Sequence, residues 1–210
     1  CLTHISLTSM GNDIADINND GYMDIITMDM LPEDNRRQKL LMSANNYEKY
    51  DLNIRSGFHR QYMRNMLQLN NGNETFSEIG QLSGISNTDW SWCPLLADFD
   101  NDGLKDLIVT NGYGKDITDL DYIVYSNSIR AFGSEEAKKA KLREEINKLI
   151  EIKIPNYIFK NTGNLRFEDK TKDWGLHHPS LSNGVAFADF DNDGDLDLVV
   201  NNVNDPAFVY

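Results

Sequence analysis

The sequence predicts a mainly β chain: about three four-stranded antiparallel units, blades of a partial β-propeller, interrupted by helical insertions. Three observations carry this reading. A nine-residue acidic loop occurs three times, each copy running straight into an apolar, β-branched stretch. A hairpin pattern recurs at the same offset of 91 residues that separates the second and third loops. Without its insertion the repeating unit is roughly 47 residues long, the size of a four-stranded propeller blade.

The three loops share one register. The fullest copy is Asp189-Phe190-Asp191-Asn192-Asp193-Gly194-Asp195-Leu196-Asp197, followed by Leu198-Val199-Val200. The second has Asp98, Asp100, Asp102, Gly103 and Asp106 before Leu107-Ile108-Val109, and the first has Asp16, Asn18, Asp20, Gly21 and Asp24 before Ile25-Ile26-Thr27. A Ser seven residues upstream (Ser9, Ser91, Ser182) and an Ala immediately before the loop (Ala15, Ala97, Ala188) also keep their places. Carboxylates gathered on one turn repel: at ~4 Å and an effective dielectric of about 20, each pair costs on the order of 4 kcal/mol. A hard, oxygen-seeking cation removes that cost, and Ca2+ tolerates such a loop better than Mg2+.

Up to three Ca2+ ions are therefore expected. The predicted side-chain ligands are positions 1, 3, 5 and 9: Asp16, Asn18, Asp20 and Asp24; Asp98, Asp100, Asp102 and Asp106; Asp189, Asp191, Asp193 and Asp197. The position-7 carbonyls of Tyr22, Leu104 and Asp195 are expected to add a backbone ligand. Position 12 is Thr27, Val109 or Val200, inside a strand-like run, so these are not EF-hands, which need a Glu there and a following helix. With Asn18 in place of an Asp, the first site is expected to be the weaker.

In chain order, residues 1–30 form a partial blade with a strand over about 4–14, the first loop and a strand over about 24–29. Residues 31–64 break the pattern. They are polar, contain Arg36, Arg37, Tyr47, Tyr50, Arg55, His59, Arg60 and Tyr62, and read as an insertion with one or two short helices. Residues 65–111 hold a hairpin, Met66–Leu69 and Thr75–Ile79 about an Asn71-Gly72 turn, and then the second loop with its strands. Residues 112–155 are a helical insertion: Ser134 N-caps an amphipathic run to about Ile152, with Leu142, Ile146, Leu149 and Ile150 at helical spacing. Residues 156–210 repeat the hairpin and the third loop. The units are expected to be incomplete at each end of the chain, so the remaining blades belong to a longer protein.

The formal charge is −13 and the isoelectric point is near 4.6, which argues against nucleic acid as a partner. No run of about 18 apolar residues is long enough to span a membrane. Cys1 reads as the edge of an arbitrary cut, or alternatively as a lipidated first residue. Cys93 stands where the other copies have Gly11 and Gly184, which favours a small buried thiol over a disulfide.

The motifs Ala-Asp-Phe-Asp-Asn-Asp-Gly-x-x-Asp and Asn-x-Gly-x-x-x-Phe resemble the FG-GAP/VCBS repeat family, over nearly all of residues 4–30, 65–111 and 156–210. With Leu31-Pro32-Glu33-Asp34-Asn35-Arg36-Arg37-Gln38-Lys39, the chain also looks like the large secreted VCBS-repeat proteins of Bacteroidetes, some with a cartilage-acidic-protein-like region. The resemblance implies calcium-loop propeller blades in an extracellular, cell-surface or periplasmic setting.

Two functions follow. One is a non-catalytic binding or adhesion module for a glycan or protein ligand. The alternative is a carbohydrate-active enzyme, a polysaccharide lyase or glycosidase, using His59, His177, His178 or paired Asp residues, or residues outside the chain. No Ser-x-Asp-x-Gly-x-x-Trp box occurs, which argues against sialidase chemistry. In an antiparallel blade the calcium loops and Asn-Gly turns share one end, whereas both insertions and the inter-blade passages share the other. That end holds the ligand candidates Trp90, Tyr47, Tyr50, Arg60 and Tyr113, although blade packing explains each aromatic equally well.

Overall fold

The structure, a computed structural model, describes residues 2–41, 47–131, 134–149 and 151–210. Cys1 and Ile150, both singled out above, lie outside the described residues. The chain opens with β1 (His4–Ser6), β2 (Asn12–Ala15) and β3 (Asp24–Thr27). The strand expected over about 4–14 is thus two strands. Gly11 lies at the break, where a Cβ would come 2.0 Å from the Trp92 carbonyl oxygen; only glycine lets the chain pass so close to the second repeat.

The first insertion contains α1 (Asn35–Leu41), α2 (Tyr47–Arg55) and β4 (Arg60–Tyr62), which pairs in parallel with β1. The hairpin β5 (Met66–Asn70) and β6 (Phe76–Glu78) follows, then a single turn of helix, α3 (Gly80–Ser83). The second repeat comprises β7 (Ser91–Ala97), β8 (Asp106–Asn111), α4 (Leu120–Ala131), α5 (Glu135–Lys148), β9 (Tyr157–Asn161) and β10 (Phe167–Asp169). The third has β11 (Ser182–Ala188), β12 (Asp197–Asn202) and β13 (Phe208–Val209).

Three antiparallel sheets result, in the orders β2-β3-β5-β6, β7-β8-β9-β10 and β11-β12-β13. Neighbours in sequence are neighbours in space within each sheet, the meander of a propeller blade. The first sheet has four strands, which corrects the expectation of an incomplete unit at the N-terminal end. Its outer hairpin comes from the far side of the insertion, so segment 65–111 is shared between two sheets. The hairpin connections are wider than an Asn-Gly turn: Asn71 N donates to Thr75 O at 3.0 Å, and Thr162 N to Arg166 O at 2.9 Å.

Ser134 accepts from Ala137 N at 3.3 Å, capping α5 as predicted. The helix stops at Lys148 instead of near Ile152, because Leu149 turns extended (φ −62, ψ 134). Beyond it Ile154 bridges to Ser180, and the residue before Pro155 disfavours the helical region in any case. Helix α4 was not anticipated; its Tyr, Ile, Val, Ser and Asn residues are indifferent helix formers that leave no clear amphipathic pattern.

The sheets pack face to face. Leu107 and Val109 of β8 join a core with Ile26, Leu67, Ile79, Leu96 and Phe159, whereas Ile108, between them, packs with Ile158, Leu176 and Leu198. The middle sheet is thus buried on both faces, which is why its second strand reads as an unbroken apolar run. At the insertion end a buried polar set repeats. Asn65 Nδ2 donates to Thr88 Oγ1 (2.5 Å), whose hydroxyl meets Ser91 Oγ (2.7 Å), and Ser91 Oγ donates to Asn111 Oδ1 (3.2 Å). Asn156, Ser180, Ser182 and Asn202 rebuild it in the next unit. These contacts account for the recurrent Ser91 and Ser182.

Candidate metal centres and the opposite face

The acidic loops close through a common set of hydrogen bonds, from which the third departs in that Asp193 N donates to Asp191 Oδ1 (3.3 Å) and not to position 1. In the second, Asp98 Oδ1 accepts from Asp102 N (3.0 Å) and Oδ2 from Gly103 N (2.8 Å), while Asp102 Oδ1 accepts from Leu104 N (2.9 Å). The first repeats this with Asp16, Asp20, Gly21 and Tyr22. In the third, Gly194 N donates to Asp189 (3.2 Å) and Asp195 N to Asp193 (3.2 Å). The turn requires a left-handed backbone at positions 4 and 6: Asn19, Asn101 and Asn192 have φ of 58, 57 and 61, and Gly21, Gly103 and Gly194 have 88, 90 and 98. Asn is the non-glycine residue that tolerates this region best.

Position 9 locks the loop to the sheet. Asp106 Oδ2 accepts from Phe99 N (3.1 Å) and Oδ1 from Asn161 N (2.8 Å). Asp24 does the same with Ile17 N (3.0 Å) and Asn70 N (2.8 Å), and Asp197 accepts from Phe190 N (2.7 Å). Burial pushes the Asp106 carboxyl up to about 6 despite these amides, and burial likewise raises Asp24. In the exposed third loop, desolvation and the charge of Asp193 raise Asp191, and the hydrogen bond with Asp193 raises Asp195. Such crowding favours a proton or a cation among the carboxylates.

Oxygens of Asp98, Asp100 and Asp106, and of Asp189, Asp191 and Asp197, lie within 4.8 Å of one another. These all-oxygen sets at positions 1, 3 and 9 fit a hard divalent ion such as Ca2+. The first loop builds no such carboxylate triad among the described residues, because its third position is Asn18, whose Nδ2 donates to Asp20 Oδ2 (2.9 Å). Position 5, predicted as a ligand, stands outside both triads. Asp102 Oδ2 instead meets Lys160 Nζ at 2.9 Å, and the same ammonium is bonded to Asp100. At position 7 the Tyr22 ring covers Gly72, where a Cβ would lie 2.7 Å from the ring.

The loops are also tied across sheets. Asn161 Nδ2 donates to Lys105 O (3.1 Å) in its own loop and to Ile17 O (2.8 Å) in the first, and Asn19 Nδ2 donates to Gly103 O (2.9 Å). Asn70 has the same role within the first sheet, donating to Met23 O (3.2 Å). Asn70 and Asn161 are the Asn of the Asn-x-Gly-x-x-x-Phe motif, so their signal was visible while their partner was not.

Both insertions leave from the other end of their sheets. There Trp90 stacks on Tyr113, with centroids 3.7 Å apart and planes 5° off parallel. Beside them Arg37 donates to Asp89 (2.6 and 3.1 Å) and to Asp116 (2.6 and 3.0 Å), joining first insertion, inter-sheet passage and second insertion. Burial works against the guanidinium charge, and the two carboxylates more than offset it, so its pKa lies above its ordinary value. Neither Asp89 nor Asp116 stood out in the sequence.

Tyr47, Tyr50 and Arg60 form a separate group. Tyr47 is 75 % exposed, Arg60 is exposed on β4, and the Tyr50 hydroxyl meets that of Tyr62 at 3.1 Å. A cavity of about 250 Å³ lies under Glu33, Ser86, Asn87, Tyr157, Phe159, Phe167 and Asp169, and none of the predicted ligand residues lines it. Cys93 is a free, half-buried thiol. Among the described residues no helix is long and apolar enough to cross a membrane.

A family model described as FG-GAP-like repeat matches residues 51–109 and 153–200. Cartilage acidic protein 1 of Mus musculus is 42% identical over 57 residues, which are 27% of this chain and 9% of that protein. The Homo sapiens protein of the same name is 40% identical over the same share of each. The matched stretch is therefore a small part of these relatives. The family match covers two successive repeats and about half of the chain, and it coincides with the hairpin and acidic-loop strands described above: the chain belongs to the FG-GAP-like repeat family.

Proposed function

We propose that this chain is a non-catalytic, calcium-binding scaffold that presents its insertion face to a glycan or protein ligand. The observation that carries the reading is the separation of the two ends: oxygen-only loops of common design at one, and both insertions with their aromatic and ionic contacts at the other. Calcium is then structural, and recognition belongs to loops held on a rigid frame. The clustered carboxylates already serve as acceptors for loop amides, which supports scaffold over enzyme. Site affinities of about 10⁻⁴–10⁻³ M suit an extracellular, cell-surface or periplasmic setting, and the mammalian relatives carry the name of cartilage. Exposed Ile14 on the first sheet and Val209 on the third are suited to pack against further blades.

Millimolar Ca2+ is expected to raise the melting temperature by binding the native state alone, and chelator to reverse it. Asp191→Ala is expected to remove one site and leave the others. An unchanged melting curve together with no heat of binding would dispose of the calcium reading. For the recognition face, a glycan and protein screen is expected to lose its hits when both insertions are deleted; retained binding would move recognition elsewhere.

A further inference from the structure

We propose that the ε-ammonium of Lys160 is a tethered cation of the second loop, competing with Ca2+ there, so that it raises the calcium at which this loop loads. The inference rests on the calcium reading above and concerns how one site is tuned by a neighbouring side chain. Lys160 is fixed next to the loop by backbone: its neighbour Asn161 donates its amide to Asp106 at 2.8 Å. From that position its Nζ is bonded to Asp100 and lies 2.9 Å from Asp102 Oδ2. Asp100 is one of the three carboxylates of the triad, so a divalent ion and the ammonium draw on the same oxygen.

The first loop shows what is particular here. In the first sheet the place of Lys160 is taken by Leu69, which pairs with Ser77 as Lys160 pairs with Glu168; an apolar side chain brings no charge to the loop. Lys160 thus neutralises part of the repulsion in the second loop without an ion. A four-carbon stem with a partly exposed head can swing out when the ion enters, at the cost of two charge-assisted bonds.

The test is a calcium titration of the full chain followed by the amide resonances of Gly21, Gly103 and Gly194, one per loop. Lys160→Met, which keeps the stem and removes the charge, is expected to lower the Gly103 midpoint by about tenfold, the size of two partly exposed ion pairs, with Gly194 unmoved. The reciprocal Leu69→Lys is expected to raise the Gly21 midpoint. A Gly103 midpoint that stays put or rises in Lys160→Met, while Gly194 still titrates, overturns the role of Lys160 and leaves the calcium reading standing. If Gly194 does not respond at all, the calcium reading itself has failed, and this inference with it.

Discussion

Asp29 is fully buried and accepts Ser6 Oγ (2.5 Å), Leu7 N (3.0 Å) and Thr8 N (3.1 Å), with Thr8 Oγ1 and Met30 N on its other oxygen. It stands in the first repeat where Asn111 and Asn202 stand in the next two. Here a carboxylate is needed because the incoming chain turns its amides and hydroxyls toward one point, and an ionised acid accepts more of them than an amide. Asp29→Ala is expected to strand these buried donors and cost about 3 kcal/mol, read as a lower urea midpoint with an unchanged slope. Nothing local in Met28-Asp29-Met30 announces this, since the partners lie more than twenty residues upstream.

At the level of elements, the helices of the two insertions are short or exposed, and α1, α2 and α5 contribute no fully buried residue. Arg37 ties the two insertions to each other and to the inter-sheet passage. Asp89 and Asp116 have side chains only 6% and 15% exposed, so removing the guanidinium leaves two poorly solvated carboxylates side by side. Arg37→Ala is expected to destabilise by about 3 kcal/mol and to speed hydrogen exchange in α1 and α4. Arg37→Lys is expected to recover less than half of the loss, because one ammonium cannot reproduce two bidentate contacts. Trp90 and Tyr113 stack directly beside this clamp, which is where packing and recognition meet. Thermal denaturation together with the ligand screen on Arg37→Ala separates the two roles.

Across the whole molecule, three sheets with one loop design are not three independent units. Asn161 links the first and second loops over a separation of 144 residues. Asn161→Ala is expected to weaken calcium binding at both Gly21 and Gly103, by a few-fold each, and to leave Gly194 unchanged. A change confined to Gly103 would show that the bond to Ile17 carries no coupling.

The acidic loops, their strand neighbours and the Asn-x-Gly hairpins were legible in the sequence because each is built from interactions within about nine residues and repeats. A left-handed Asn, a glycine two places on and a carboxylate closing the turn are local demands, and a repeat states them three times. The face assignment also followed from strand order, since antiparallel neighbours leave no other way to place alternate connections. Tertiary structure alone decided that Lys160 enters a loop 60 residues away and that Arg37 reaches Asp116 over 79. It also decided that Asp29 receives the N-terminal segment and that Trp90 and Tyr113 are brought together while Tyr47, Tyr50 and Arg60 form another group. Those contacts depend on which side chains two packed sheets bring within a few ångströms of each other, and residue order along the chain carries no record of that distance.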